Sequence, residues 1–503
     1  MVFPEIQKMR TEMKMRTLKY LSLLIGSLLS VACSENVQIE HYIDHLPPIS
    51  PDYTEVTLPP NIAPPCFTLS DSCHVSDFRA LYKAGNEEIL VKARNGQIAI
   101  SPSQWKKLVN ASSSITVHLQ ARRGDKWAEY APFNLYIAKE KIDPYIAYRL
   151  IEPGYETWNE MGIYQRCLEN YEETAIITNK MTGYGCMNCH SFCQQNPDKM
   201  LFHLRSDYGG TYIIEQQQIE KLNTKTPQTI SALVYPSWHP SGDFVAFSVN
   251  DTRQMFHTTD KNRVEVMDYA SDIVVYDVKR KQIVSSPLLS SATAFETFPA
   301  FSPDGKTLYF CSADSVSMPD KYNHVRYSLC AIGYDADTRS FGNRVDTLFD
   351  ARKEGKSVSF PRVSPDGKFL MFTLSAYGNF SIWHKDADLY LTDLQTNKTQ
   401  PLSILNTDDA ESYHSWSSNS RWVVFSSRRT DGLYTRPFIA YIDEEGKARK
   451  PFLLPQKKKD YYDFLMKSYN IPEFISGKVN VNAYDISQVA KREKGTDITF
   501  SLQ

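Results

Sequence analysis

One phrase recurs along the second half of the chain and limits the fold more than any other feature. Tyr235-Pro236-Ser237-Trp238-His239-Pro240-Ser241-Gly242-Asp243 runs into Phe244-Val245-Ala246-Phe247. Phe298-Pro299-Ala300-Phe301-Ser302-Pro303-Asp304-Gly305-Lys306 runs into Thr307-Leu308-Tyr309-Phe310, and Phe360-Pro361-Arg362-Val363-Ser364-Pro365-Asp366-Gly367-Lys368 into Phe369-Leu370-Met371-Phe372. A looser fourth copy runs from Tyr413-His414-Ser415-Trp416 to Trp422-Val423-Val424-Phe425. Each copy is an apolar strand, a tight turn and a second apolar strand, and most are followed by another strand ending near an aspartate, such as Tyr276-Asp277 or Thr392-Asp393. All-β units repeated at this spacing predict blades set around an axis.

The Ser-Pro-Asp-Gly-Lys turn between two inner strands resembles the TolB-like (PD40-repeat) β-propeller family, and the likeness covers most of residues 190 to 450. It implies an all-β propeller of five to seven blades, six favoured, with the tail after about residue 460 lending a closing strand. A strand ending the tail, Asp497-Ile498-Thr499-Phe500-Ser501-Leu502, is the candidate for that closure.

Just ahead of the repeats stands Cys186-Met187-Asn188-Cys189-His190. Two cysteines three apart, followed at once by histidine, is the pattern for one covalent haem c, with thiols on the vinyl groups and His190 as proximal iron ligand. Writing Ser191-Phe192 over Ser237-Trp238 continues the repeat with two extra turn residues. That register puts His203 in the slot of Phe247, Phe310, Phe372 and Phe425. Met200 and His203 are the nearest candidates for the sixth ligand, with Met181, Met255 and His257 behind them. The remaining histidines, His239 and His414 included, have no zinc-site spacing and are expected to be structural.

The compartment bears on that motif. Lys14, Arg16 and Lys19 precede the apolar run Leu21 to Leu29, which is too short to span a bilayer and reads as a secretory signal, with Met13 an alternative start. Its end, Leu29-Ser30-Val31-Ala32-Cys33, resembles a bacterial lipobox with Cys33 lipidated. The protein is therefore expected to be exported and lipid-anchored to the envelope membrane. Export favours haem attachment and lets disulfides persist. Six further cysteines allow fifteen pairings. Cys66 with Cys73, Cys311 with Cys330 and Cys167 with Cys193 are the short-range choices, and free buried thiols are the alternative.

The remaining organisation follows from pattern. Residues 1–33 are the signal and lipidated cysteine, and 34–60, dotted with prolines, a tether. Period-two runs such as Ile115-Val117-Leu119 and Phe133-Leu135-Ile137 make 61–142 an immunoglobulin-like β-sandwich. Residues 143–190 read as an aromatic connector carrying the haem motif, and 191–503 as the propeller. With 56 basic against 58 acidic residues, nothing points to nucleic acid. The lipobox, haem motif and repeats together resemble cytochrome-like TolB-family envelope lipoproteins of Bacteroidetes. The resemblance implies a membrane-anchored monohaem c-type cytochrome that transfers electrons to, or binds, an unidentified redox or envelope protein. The alternative is a haem-free propeller that binds protein, peptide or glycan. No Gly-x-Ser-x-Gly elbow or hydrolase domain is present, so an electron carrier or binding protein is expected rather than an enzyme.

Overall fold

The computed structural model describes residues 37–70, 75–153 and 159–502. Cys33 and the signal region, and Cys73 with its suggested pairing, lie outside them.

Six antiparallel sheets carry the second part of the chain, and we number them as blades. Blade 2 starts with Met187–Phe192, blade 3 with Val234–Trp238, blade 4 with Ala294–Phe301, blade 5 with Ser357–Val363 and blade 6 with Glu411–Trp416. Blade 1 takes its first strand, Ser468–Ile475, from the C-terminal region and its other three, Tyr145–Ile151, Gly162–Cys167 and Glu173–Thr178, from the segment expected to be a connector. The six first strands contact one another in sequence and close a ring, which makes the arrangement propeller-like. The haem-motif strand therefore opens the second blade. Closure comes from Ser468–Ile475, whereas Thr496–Asp497 and Thr499–Leu502 add parallel to the outer edges of blades 2 and 3.

The repeated phrase has a physical explanation in its turn. Ser302 Oγ donates to Asp304 Oδ1 at 2.5 Å, while Asp304 Oδ1 accepts from Lys306 N and Ser302 Oγ from Thr307 N. Gly305 follows at φ +74°, where a Cβ would fall 2.1 Å from His239 Nε2. Ser364, Asp366 and Gly367 repeat the turn in blade 5. In blade 6, Asn419 takes the aspartate's place and Ser420, at φ +63°, the glycine's. The fourth copy is degenerate in letters and intact in hydrogen bonds.

A second regularity lies one strand earlier. Cys189, Tyr235, Phe298, Phe360, Tyr413 and Ile471 have φ between +48° and +54°, each at a β-bulge in the innermost pairing of its blade. Left-handed backbone at a non-glycine residue costs about 1–3 kcal/mol. Packing across the axis offsets it: ring centroids lie 4.5 Å apart for Tyr235–Phe298, 4.1 Å for Phe298–Phe360 and 4.7 Å for Phe360–Tyr413.

The N-terminal part holds a seven-stranded and a three-stranded sheet. Ile115, Val117 and Leu119 are fully buried, as their alternation requires. The segment expected to be a tether supplies strands, Ile39–Ile43 parallel to Lys126–Tyr130 and Val56–Leu58 parallel to Phe133–Ile137. Its prolines fall outside these edge strands, Pro47, Pro48 and Pro51 between them and Pro59 and Pro60 after the second, where no ladder donor is lost. A helix, Pro102–Ala111, starts at the Ser101 cap with proline at its head and buries Trp105, Leu108 and Val109. No helix among the described residues is long and apolar enough to cross a membrane.

The two disulfide expectations that fall within the described residues fail: Cys167, Cys193, Cys311 and Cys330 are free buried thiols, the alternative the sequence left open. Cys311 sits opposite Leu329 and Cys330 opposite Phe310, one register step apart, so their side chains enter different cores. Cys167 lies on blade 1, and Cys193 packs in the core between blades 2 and 3.

Candidate functional site

The bulge ring narrows the axis to a waist. A cavity of about 30 Å³ there is lined by Cys189, Tyr235, Phe298, Phe360, Tyr413 and Ile471, together with His190 and His414. A chamber opens on either side. The lower one, about 450 Å³, is lined by His190, Arg362, His414, Glu473 and the indoles of Trp238 and Trp416. The upper one, about 210 Å³, is lined by Cys186, Cys189, Asn188, Arg149 and Arg205.

The repeat generates the lower chamber. In blades 3, 4, 5 and 1 the bulge residue is followed by proline (Pro236, Pro299, Pro361, Pro472), and in blades 2 and 6 by His190 and His414. One residue further on stand Ser191, Ser237, Ala300, Arg362, Ser415 and Glu473. Small residues thus occupy four positions, and a guanidinium and a carboxylate the other two. Arg362 and Glu473 are separated by blade 6 and form no ion pair with each other. Arg362 Nη1 donates to the Pro361 carbonyl at 3.1 Å, and Glu473 Oε1 accepts from Phe192 N at 3.2 Å. Burial pushes the Glu473 carboxyl up to about 7, opposed by the Phe192 N–H and by Arg362. Burial likewise pushes Arg362 down.

His190 is 2% exposed, and neither ring nitrogen has a hydrogen-bond partner. The carbonyls of Ile471 and Ala147 lie beside the ring without bonding geometry. Burial, then the charge of Arg149, drives this imidazole down to about 3. His414 Nε2 donates to the Met371 carbonyl at 3.0 Å, which leaves Nδ1 without a partner, and burial lowers it to about 3 as well. Both rings are therefore neutral at neutral pH. The sequence reading gave His414 no role. The signal was present, since His190 and His414 alone replace the proline of the phrase.

The residues expected to hold haem c do not share a single chamber. Cys186 and Cys189 line the upper chamber and His190 the lower, and only Cys189 and His190 meet, at the narrow waist that both line. One macrocycle would have to reach both thiols and lie over the imidazole. The chamber at the thiols falls below the roughly 300–1,000 Å³ of ordinary ligand sites. The sixth-ligand candidates line neither chamber nor the waist. Met200 is fully buried opposite Phe192, in the core shared by blades 1 and 2. His203 pairs with Thr211 Oγ1 at 3.2 Å, and burial holds it down to about 3. Its slot also differs from the expected one: Leu201 stands opposite Ser191, so Phe202 matches Phe247 and His203 matches Ser248. The turn has one extra residue, not two. Met181 packs against the core holding Met200, and His257, at the turn of the long blade 3 hairpin that also carries Met255, packs against Tyr322 of blade 4. Arranged around a waist of about 30 Å³, these residues do not fit a covalently attached haem.

No protein-family model and no curated protein sequence matches the chain. Among solved structures it is similar to a puromycin-hydrolysing peptidase of Mycobacterium tuberculosis (10% identity, TM-score 0.34, 80% of this chain and 57% of that one). It is similar also to prolyl oligopeptidase B of Galerina marginata (11%, 0.35, 66% and 42%) and to a DUF4784 family protein of Bacteroides caccae (10%, 0.30, 80% and 94%). The chain spans about half the length of the two peptidases. Similarity at this level bears on neither activity nor ligand.

Proposed function

We propose that this chain is a TolB-like propeller acting as a non-covalent binding module, exported and anchored through Cys33, whose lower axial chamber takes a small zwitterion such as a free amino acid or short peptide. The observation that carries the reading is the pair Arg362 and Glu473: opposite charges facing one chamber, one blade apart, with no ion-pair partner among the described residues. Both side chains are half-buried, and charges drawn out of water are normally paired. A ligand carboxylate would meet the guanidinium, an ammonium the Glu473 carboxylate, and the unpaired nitrogens of His190 and His414 would serve polar groups between them. The monohaem cytochrome reading rests on the Cys186–His190 motif and requires the waist to open.

The test is calorimetric titration with triglycine and with its N-acetyl amide. Triglycine is expected to bind and the capped peptide not to. Because Glu473 must ionise to hold an ammonium and starts near 7, affinity should rise from pH 6 to pH 8, with proton release visible on changing buffer. Arg362→Gln should weaken binding about tenfold or more, as expected for losing a charge-assisted bond. No binding of triglycine, or equal binding of the capped peptide, would overturn the reading.

A further inference from the structure

The upper chamber has a different electrostatic character. Arg149, on strand Tyr145–Ile151, donates from Nη1 to the Met187 carbonyl at 3.0 Å and from Nη2 to Asn470 Oδ1 at 2.9 Å, leaving Nε buried without a partner. Arg205, just past Lys199–Leu204, is exposed. Neither guanidinium has a carboxylate within ion-pair distance among the described residues, and neither lines the lower chamber. The one carboxylate in the lining, Glu152, is held through Oε1, which lies 3.8 Å from Lys467 Nζ and accepts from Glu160 N at 3.1 Å, while its Oε2 is buried without a partner. Asn188 adds a buried amide whose oxygen has no partner, and which presents two donors if turned over. Both arginines act on the Cys189 thiol, opposing the upward push of burial, so their fields converge where the chamber meets the waist.

We infer that this chamber is an oxyanion site, held by Arg149 and Arg205 and sized for a small phosphate- or carboxylate-bearing molecule. Two guanidiniums without an ion-pair partner among the described residues, a partnerless Nε and an adaptable amide line about 210 Å³ of space that holds a single carboxylate, Glu152. Guanidinium forks match phosphate and carboxylate geometry, and a partly enclosed site strengthens such bonds relative to water. The waist separates this site from the one below, so the inference stands whether or not the lower chamber binds a zwitterion.

The probes are inorganic phosphate and succinate, read by thermal unfolding of the full-length protein and by iodoacetamide labelling of Cys186 and Cys189, located by peptide mass. The expected result is a higher melting temperature and slower labelling with one or both probes, and whichever acts identifies the source as phosphate or carboxylate. Arg205→Gln, at an exposed position that leaves the core intact, should weaken the effective probe about tenfold or more without changing the melt in its absence. Arg149→Lys should weaken it too, and it keeps the charge if Arg149→Gln fails to fold. If neither probe acts, if sodium chloride of equal ionic strength reproduces the effect, or if Arg205→Gln responds like the parent, the inference is overturned.

Discussion

A chain ending at Lys467 is expected not to fold. It lacks Ser468–Ile475, the innermost strand of blade 1, which pairs with Tyr145–Ile151 and touches the first strands of blades 2 and 6. Tyr469, Phe474 and Ile475 on this strand are fully buried, and burying three such side chains contributes roughly 5–9 kcal/mol. A whole domain is stable by only about 5–15 kcal/mol. Polar contacts go as well: the Tyr469 carbonyl accepts from Ser426 Oγ at 3.0 Å and from Thr435 Oγ1 at 2.5 Å, and the Pro472 carbonyl from Ser415 Oγ at 2.9 Å. Circular dichroism melts and limited proteolysis should show no cooperative unfolding. Removing only 494–503 takes away outer-edge strands whose described residues are mostly exposed or half-buried, and should leave a folded protein. A cooperative transition at the parent's temperature in the chain cut after Lys467 would contradict the ring closure.

Replacing Glu296 with glutamine should stabilise the protein above pH 8 by roughly 2–4 kcal/mol, with the gain fading as pH falls towards 4.5. Glu296 lies on the innermost strand of blade 4, is 3% exposed, and its Oε2 has no partner. Burial pushes its carboxyl up to about 8, with the charge of Asp272 on blade 3 adding and the Ser291 N–H opposing. Burial takes Asp272 itself up to about 6. Between pH 4.5 and 8 the folded state therefore holds a proton that the unfolded chain has lost, so stability falls as pH rises through that window. Glutamine mimics the protonated acid and removes the dependence. Urea unfolding of parent and variant at pH 5 and pH 9 checks this, and equal differences at the two pH values would refute it.

The ring of blades was legible because the Ser-x-Asp/Asn turn writes its hydrogen bonds into the sequence, even where Ser420 stands for glycine. Blade 1 was not, because it lacks the phrase and joins strands more than 300 residues apart, Tyr145–Ile151 and Ser468–Ile475. The edge strands of the N-terminal sheet hid among prolines for a related reason, since edge strands need no continuous apolar pattern. In the site, the spacing Cys186, Cys189, His190 specified a chemistry without saying which way the side chains point. A bulge with Cys189 at φ +54° sets Cys186 and Cys189 along the upper chamber and His190 along the lower, with Cys189 and His190 both at the waist. Arg362, His414 and Glu473 come together only through ring closure, and their common register within the repeat was the one trace of it in the sequence.

The central claim, that the axis of this molecule carries two non-covalent sites rather than an attached haem, is tested most directly by a spectrum. The protein would be expressed in an exporting host with haem-attachment machinery and examined oxidised and reduced, with a pyridine haemochrome and a haem stain after denaturing electrophoresis. The expected result is no covalent haem under conditions that load a control cytochrome, with the Cys186 and Cys189 thiols titrating as free. A haem that survives denaturation and disappears in Cys186→Ala or Cys189→Ala would contradict the account and mean that the waist opens around a macrocycle.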